Sequence, residues 1–417
     1  MHSSFLQRHR TVLLTTLALG ALALTIGIVF EFRSQATLPP IKISLNPPTT
    51  LVATGAPPKL HWPTQGQAAV AIPSLAVNAL ASTPDQRPVP IASLAKLMTA
   101  YLVLERHPLA VGSQGPTLTM TSTDEQQYYD DVAQDQSSVE VTAGEQLTEY
   151  QLLQALLTRS ANNVAQLLAS WVAGSQDSFV AQMNQTATRL GLTNTHFADA
   201  SGFNPATKAT AQAVASIAAM DMRNAVFDQI VDEHTVTLPL IGTLPNIVAR
   251  IGTANVIGIK SGYTIWSGGC AAIATEERSP SGSFPAVAVV LDQQGPASLH
   301  HAASIAEQLA DEVGSGVVRI DGVRAHQRIG SLRIPWLGRM RSPVELMLTR
   351  PLKVALWPGQ AITYQVRLTS APHLIGRPAG AVAGYLVLSW PMHTERIAIV
   401  TTGAIPPPSR WWRVLHA

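Results

Sequence analysis

Ile91-Ala92-Ser93-Leu94-Ala95-Lys96-Leu97-Met98-Thr99-Ala100 opens an apolar run that continues through Tyr101, Leu102, Val103 and Leu104 and meets no helix breaker before Pro108. A helix that is apolar on nearly every side lies inside a large core. Two polar groups interrupt it, Ser93 at its start and Lys96 one turn on. Residues three apart share a helix face, so the hydroxyl and the amine can meet. A lysine is almost never buried without a partner. Burial lowers an amine's pKa and makes it a base, and a basic amine beside a hydroxyl is the arrangement of an activated serine nucleophile. The bland alternative makes Ser93 a helix cap and Lys96 a snorkelling surface residue. Of the six lysines in the chain only Lys96 has a serine three positions before it. Ser-x-x-Lys alone is still a weak signal, so the rest of the chain has to carry the reading.

The 417 residues suffice for two domains and a sizeable core. Charged residues make up 13% and hydrophobic ones 46%. A net charge of +2 gives no case for a nucleic-acid partner. The single cysteine, Cys270, excludes an intramolecular disulfide and a cysteine-rich metal site. It reads as a small buried hydrophobe beside Ala271-Ala272-Ile273. The twelve histidines form no ligand pattern such as His-Glu-x-x-His.

Arg8 and Arg10 precede Thr11 to Phe30, 20 uncharged and mostly apolar residues. That length spans a bilayer, and the arginines before it put the body of the protein on the outer side of the cytoplasmic membrane. Ser34-Gln35-Ala36 is a passable cleavage site, so a cleaved and secreted form is the alternative to an anchor. The reading divides the chain into a cytoplasmic stub and anchor (1–33), a Pro-rich extended linker (34–65), a main domain (66–315), a β-domain (316–406) and an aromatic-basic tail (407–417). Within the main domain, Ala68 to Ile72 and Val77 to Ala81 read as a first strand pair and 117–142 as a loop-rich excursion carrying Tyr128-Tyr129. Val236 to Leu240, Ile247 to Ile251, Gly258 to Thr264, Ala271 to Thr275 and Phe284 to Leu291 read as strands, and Ser298 to Val313 as a closing helix. Strands flanking a helical block indicate an α/β sandwich.

Three elements stand in order: Ser93-x-x-Lys96, Ser160-x-Asn162 in a polar turn wedged between two apolar helices, and Lys260-Ser261-Gly262 in a strand. Alone, the Ser160 turn is best read as an ordinary cap for the second helix. Together the three resemble the S-x-x-K, S-x-N and K-[ST]-G elements of penicillin-binding proteins and serine β-lactamases. The nearest resemblance is to the low-molecular-mass penicillin-binding proteins, the D-alanyl-D-alanine carboxypeptidase family of serine peptidases. Ala92 to Ala100, Asn194-Thr195-His196-Phe197, and Lys260 to Thr264 followed by Gly269-Cys270-Ala271 all resemble that family's motifs. The likeness covers about residues 66–315. The segment from Leu374 to Val387 also looks like part of its C-terminal domain.

The resemblance implies a penicillin-binding, β-lactamase-like serine transpeptidase fold of α/β (α+β) class, with a small C-terminal all-β domain and an N-terminal transmembrane helix. It implies hydrolysis of the terminal D-Ala-D-Ala bond of peptidoglycan stem peptides, with β-lactams as inhibitors and no metal or cofactor. Ser93 would be the nucleophile, Lys96 its base, and Ser160 a proton relay. Asn162 would hold the substrate amide, Lys260 would attract the substrate carboxylate, and Ser261 and Thr264 would bond it. The backbone N–H groups of Ser93 and Tyr263 would form the oxyanion hole.

The chain departs from the family pattern around the triplet. Ile257 stands where an aspartate is usual, Pro245 where an arginine is common, and Gln293-Gln294-Gly295-Pro296 where basic residues follow the strand. Thr210-Ala211-Gln212-Ala213 lacks the usual final aspartate. Three other readings compete. A class A β-lactamase needs a glutamate between the second and third motifs, and Glu233, the only one there, lacks its usual context. An endopeptidase cutting peptidoglycan crosslinks uses the same site but generally lacks the β-domain. A catalytically weak wall-binding protein is the third.

Overall fold

The computed structural model describes residues 2–35, 37–76, 78–248, 250–253, 255–279, 282–338 and 342–416. It has two compact units, Ala53–Val318 with Ala355–Gln360, and Met1–Val52 with Arg319–Val354 and Ala361–Ala417. Ten α-helices are numbered along the described chain: α1 (His2–Ser34), α2 (Ala95–Arg106), α3 (Ser122–Ala133), α4 (Glu149–Thr158), α5 (Asn162–Ala173), α6 (Gln176–Arg189), α7 (Ala211–Asp221), α8 (Ala225–Val231), α9 (Ser298–Ser315) and α10 (Arg410–His416).

The first unit is built on an antiparallel sheet of five strands, in spatial order Val256–Thr264, Gly268–Ser279, Gly282–Gln293, Gln67–Ala71 and Ala81–Ser82. Side chains alternate across a strand, and here both faces are apolar. Ala69, Ala71, Ala272, Ala274, Val287 and Val289 face the helical cluster of α2, α4, α5 and α7. Ala68, Val70, Ala271, Ile273, Ala288 and Val290 face α9 through its stripe of Ala302, Ala303, Ala306, Leu309, Ala310 and Val313. That helix–sheet–helix layering is the α/β sandwich expected. The small residues keep the helices close to the sheet.

Helix α2 runs through the core, with nine of its twelve residues buried. It is entered through a 3-10 turn at Ala92–Leu94 rather than a capped start, and Ser93 caps nothing with its side chain. Ala92 is left-handed, with φ 48°. The Ser93 hydroxyl is thereby free for other partners.

Several local expectations are corrected. The segment 117–142 is not a loop excursion. It holds a strand, Thr117–Thr119, and helix α3 with a reciprocal cap between Thr121 and Asp124. Its described buried residue is Asp131, so α3 shows no apolar stripe to read. The expected strand at Ile247–Ile251 is absent from the described part of that segment, and Ala249 lies outside the described residues. The hairpin there pairs Thr235–Leu238 with Gly242–Pro245. Asn246 ends it by donating to the Glu233 carbonyl and accepting from Val248 N. Of the expected first strand pair, the second strand is only Ala81–Ser82, and Val77 lies outside the described residues.

The second unit carries an antiparallel sheet of seven strands, in order Lys42–Leu45, Arg328–Arg333, Val344–Leu348, His393–Thr401, Val382–Trp390, Ala361–Leu368 and Leu51–Val52. The stretch read as a linker therefore supplies two edge strands, each fenced by prolines and too short to show a period. The same unit holds α1, whose Leu14–Ser34 segment has a mean hydropathy of 1.9 and buries none of its residues. Such a helix is long and apolar enough to cross a membrane. At its end Phe30 meets Trp411 of α10 edge to face at 5.1 Å. Arg413 donates to the Ser34 carbonyl and Arg33 to that of Val414. Ala36, the last residue of the passable cleavage site, lies outside the described residues.

Candidate active site

Lys96 is fully buried at the start of α2, and its Nζ has three partners: Ser93 Oγ at 3.1 Å, Asn162 Oδ1 at 2.6 Å and the Ser201 carbonyl at 2.9 Å. A neutral amine has two N–H groups and one lone pair. Two of the three neighbours, the amide oxygen and the carbonyl, can only accept. They take both N–H groups and leave the lone pair aimed at the Ser93 hydroxyl. Burial brings Lys96 down to about 7, against the opposing pull of Asp199 and Asp131. The amine is thus available as a base near neutral pH, and the partly exposed Ser93 is open to a substrate.

Ser160 lies in the turn between α4 and α5 with left-handed φ 60° and is buried. Its hydroxyl makes no hydrogen bond among the described residues. The cap position of α5 is Ala161 and carries no side-chain bond, so the turn is not an ordinary cap. Its asparagines are committed elsewhere. Asn162 Nδ2 donates to Gln136 at 2.6 Å, and Asn163 holds Val139 through both its amide groups. The two asparagines of the buried turn are thus satisfied by the 136–139 segment and by Lys96, as buried amides must be.

The Val256–Thr264 strand is the free edge of the sheet and passes Ser93. A Cβ built on Gly262 would stand 2.8 Å from Ser93 N, so only glycine admits so close an approach. Lys260 is fully buried and donates to the Ser261 carbonyl at 2.8 Å. Burial, and then the neighbouring Lys96, press its pKa well below the ordinary value. An arriving anion has the opposite effect and favours the ammonium. Ser261 is buried beside it. Tyr263, next along the strand, is 57% exposed. The Thr264 hydroxyl is already engaged with Ser267 Oγ at 2.9 Å and closes the hairpin turn.

Two further residues touch this network that the sequence reading missed. Gln136 fixes Asn162, and Ser201 offers its carbonyl to Lys96. Gly202 was the visible trace of the second. A Cβ there would lie 1.8 Å from the Ala92 carbonyl oxygen, so that loop sits on the Ser93 turn. Glu233 does not reach the site. Its carboxylate accepts from Tyr150 at 2.7 Å and Gln154 at 2.6 Å. Cys270 is fully buried and its thiol is pushed up to about 12, so it is no nucleophile.

A buried amine 3.1 Å from a serine hydroxyl, with a second fully buried lysine on the strand opposite, is an arrangement that can activate a serine as a nucleophile. Residues 56–295 match the S11 peptidases, described as D-alanyl-D-alanine carboxypeptidase, and the chain belongs to that family. It is 32% identical over 181 residues to the D-alanyl-D-alanine carboxypeptidase of Streptomyces sp. strain K15, covering 41% of this chain and 60% of that one. It is 37% identical over 146 residues to the D-alanyl-D-alanine carboxypeptidase DacB2 of Mycobacterium tuberculosis, covering 32% of this chain and 49% of that one. These matches span about half to three fifths of the relatives' length. The fold is shared with the solved PBP3 of Streptococcus pneumoniae, described as a peptidoglycan synthesis regulatory factor. That likeness has a TM-score of 0.58 at 20% identity, over 82% of this chain and 99% of that one.

Proposed function

We propose that the protein removes the terminal D-Ala from D-Ala-D-Ala stem peptides of peptidoglycan through an acyl-enzyme on Ser93. The observation that carries this is the hydrogen bonding of Lys96, which leaves its lone pair to Ser93. Ser93 Oγ attacks the carbonyl of the last peptide bond as its proton passes to Lys96. The backbone N–H groups of Ser93 and Tyr263 receive the oxyanion. The C–N bond then breaks, and D-Ala leaves as the amine with a proton delivered through Ser160, whose hydroxyl makes no hydrogen bond among the described residues. Asn162 holds the amine of Lys96 and the substrate amide. Lys260, Ser261 and Thr264 take the C-terminal carboxylate. For Thr264 this requires its hydroxyl to share Ser267. Water hydrolyses the ester and frees the enzyme.

β-Lactams present the same carbonyl and carboxylate and acylate Ser93. Glu233 is bound to Tyr150 and Gln154, which supports the penicillin target over a β-lactamase. Labelled penicillin is expected to leave a lasting adduct on the peptide containing Ser93, located by mass spectrometry. Rapid turnover of penicillin without an adduct would favour the β-lactamase.

The apolar Leu14–Ser34 segment supports an uncleaved anchor in the bacterial cytoplasmic membrane, with the catalytic unit on the outer side. The exposed Trp411 and the arginines of α10 support an interfacial contact beside it. Intact-mass analysis of membrane-purified protein should find α1 retained. A mature N-terminus at Thr37 would contradict the anchor.

A further inference from the structure

Asp199 lies one layer behind the Lys96 amine. Its Oδ2 accepts from Ser201 Oγ at 2.6 Å, Phe203 N at 3.0 Å and Asn204 N at 3.4 Å, and its Oδ1 accepts from Thr207 Oγ1. Every one of these neighbours is a donor, the set that a carboxylate anion takes. Thr207 Oγ1 also accepts from Ala198 N at 2.9 Å and Asp199 N at 3.2 Å, so the carboxylate closes residues 198–207 into one loop. That loop hands two carbonyls to α2. The Ser201 carbonyl receives Lys96, and the Ala200 carbonyl receives Thr99 Oγ1 at 2.7 Å. Gly202, at φ +82°, seats the same loop on the turn that carries Ser93.

We infer that Asp199 is a positioning residue for the transfer of the Ser93 proton to Lys96: it fixes the carbonyl that takes one Lys96 N–H and sets a negative charge behind the amine. The inference rests on the Ser93–Lys96 reading above. The charged groups facing Lys96 are Asp199 from this loop, Asp131 from α3 and Lys260 from the edge strand. Of the two acids, Asp199 acts more strongly on the amine. Burial raises the pKa of Asp131 and weakens its share at low pH. Asp199 thus helps to set the pH at which the base becomes available. Removing its charge makes the ammonium easier to deprotonate, and the acid limb of acylation moves to lower pH.

The test follows acylation of the full chain by labelled penicillin from about pH 5 to 9, the span that brackets the Lys96 titration. It compares wild type with Asp199→Asn, Asp199→Glu and Ser201→Ala, with Ser93→Ala as the blank. Asp199→Asn should move the acid limb down by about half a unit or more and lower the plateau rate about tenfold. Asp199→Glu keeps the charge and should hold the limb while losing rate. Ser201→Ala loosens the same loop without touching the charge and should also leave the limb in place. An Asp199→Asn limb that coincides with wild type, or a Ser201→Ala limb that moves equally far, overturns the inference and leaves Asp199 as loop scaffold. If the asparagine variant does not fold, Asp199→Ser gives the same comparison with the same expected shift. A wild-type protein unlabelled at Ser93 would instead remove the underlying reading, and the inference with it.

Discussion

Replacing Lys96 by arginine is expected to leave a folded protein whose acylation by penicillin falls by about a thousandfold or more. Arginine keeps the positive charge and can still donate to Asn162 and Ser201. It cannot lose its proton, so it offers no lone pair to the Ser93 hydroxyl. Its planar head is also bulkier than an ammonium, in a place with no exposed surface. Lys96→Met separates the two effects, because it fits the volume and removes both charge and base. It should acylate as poorly as the arginine variant. Wild-type acylation should rise with pH through about 7, because the base works only once Lys96 has lost its proton. Below that pH the ammonium has no lone pair and the rate should fall about tenfold per unit. Stopped-flow labelling against pH, with circular dichroism to check the fold, measures both points. An arginine variant that acylates near the wild-type rate would make Lys96 structural.

Ser93→Ala should abolish the penicillin adduct and the release of D-Ala together. It removes the hydroxyl that stands 3.1 Å from the Lys96 amine. Ser93 is only partly buried and caps no helix, so the change should cost less than about 1 kcal/mol of stability. Thermal melting alongside labelling therefore separates lost chemistry from lost fold. A variant that still carries a covalent penicillin would place the nucleophile elsewhere.

The parts of this site legible in the sequence were those that local geometry dictates. Ser93 and Lys96 lie three apart where a turn enters a helix, and the apolar residues around them announced the burial that lowers the lysine's pKa. Lys260 and Gly262 were legible through the order of the three motifs, because Lys260-Ser261-Gly262 resembles the family's K-[ST]-G element. The reason for Gly262 is the Ser93 amide at 2.8 Å from where its Cβ would be. Asp199, Ser201 and Gln136 were not legible. Two of them act on the amine through a backbone carbonyl or a second amide, and no residue type marks such a role. Helix α3 was hidden because its buried position is an aspartate, so the apolar period that betrays a helix was missing. The strands at Lys42–Leu45 and Leu51–Val52 were hidden because their partners lie near residue 330 and beyond 360. Pairing across that distance in sequence leaves no local pattern.

Carboxypeptidase activity requires an ester at Ser93 that water can reach, and amino-acid release measures it most directly. The full-length protein should free one equivalent of D-Ala from each molecule of a peptide ending in D-Ala-D-Ala, with turnover, and Ser93→Ala should free none. A wild-type protein that holds a lasting penicillin adduct on Ser93 yet releases no D-Ala from the peptide would contradict the carboxypeptidase and leave a protein that binds the wall without cutting it.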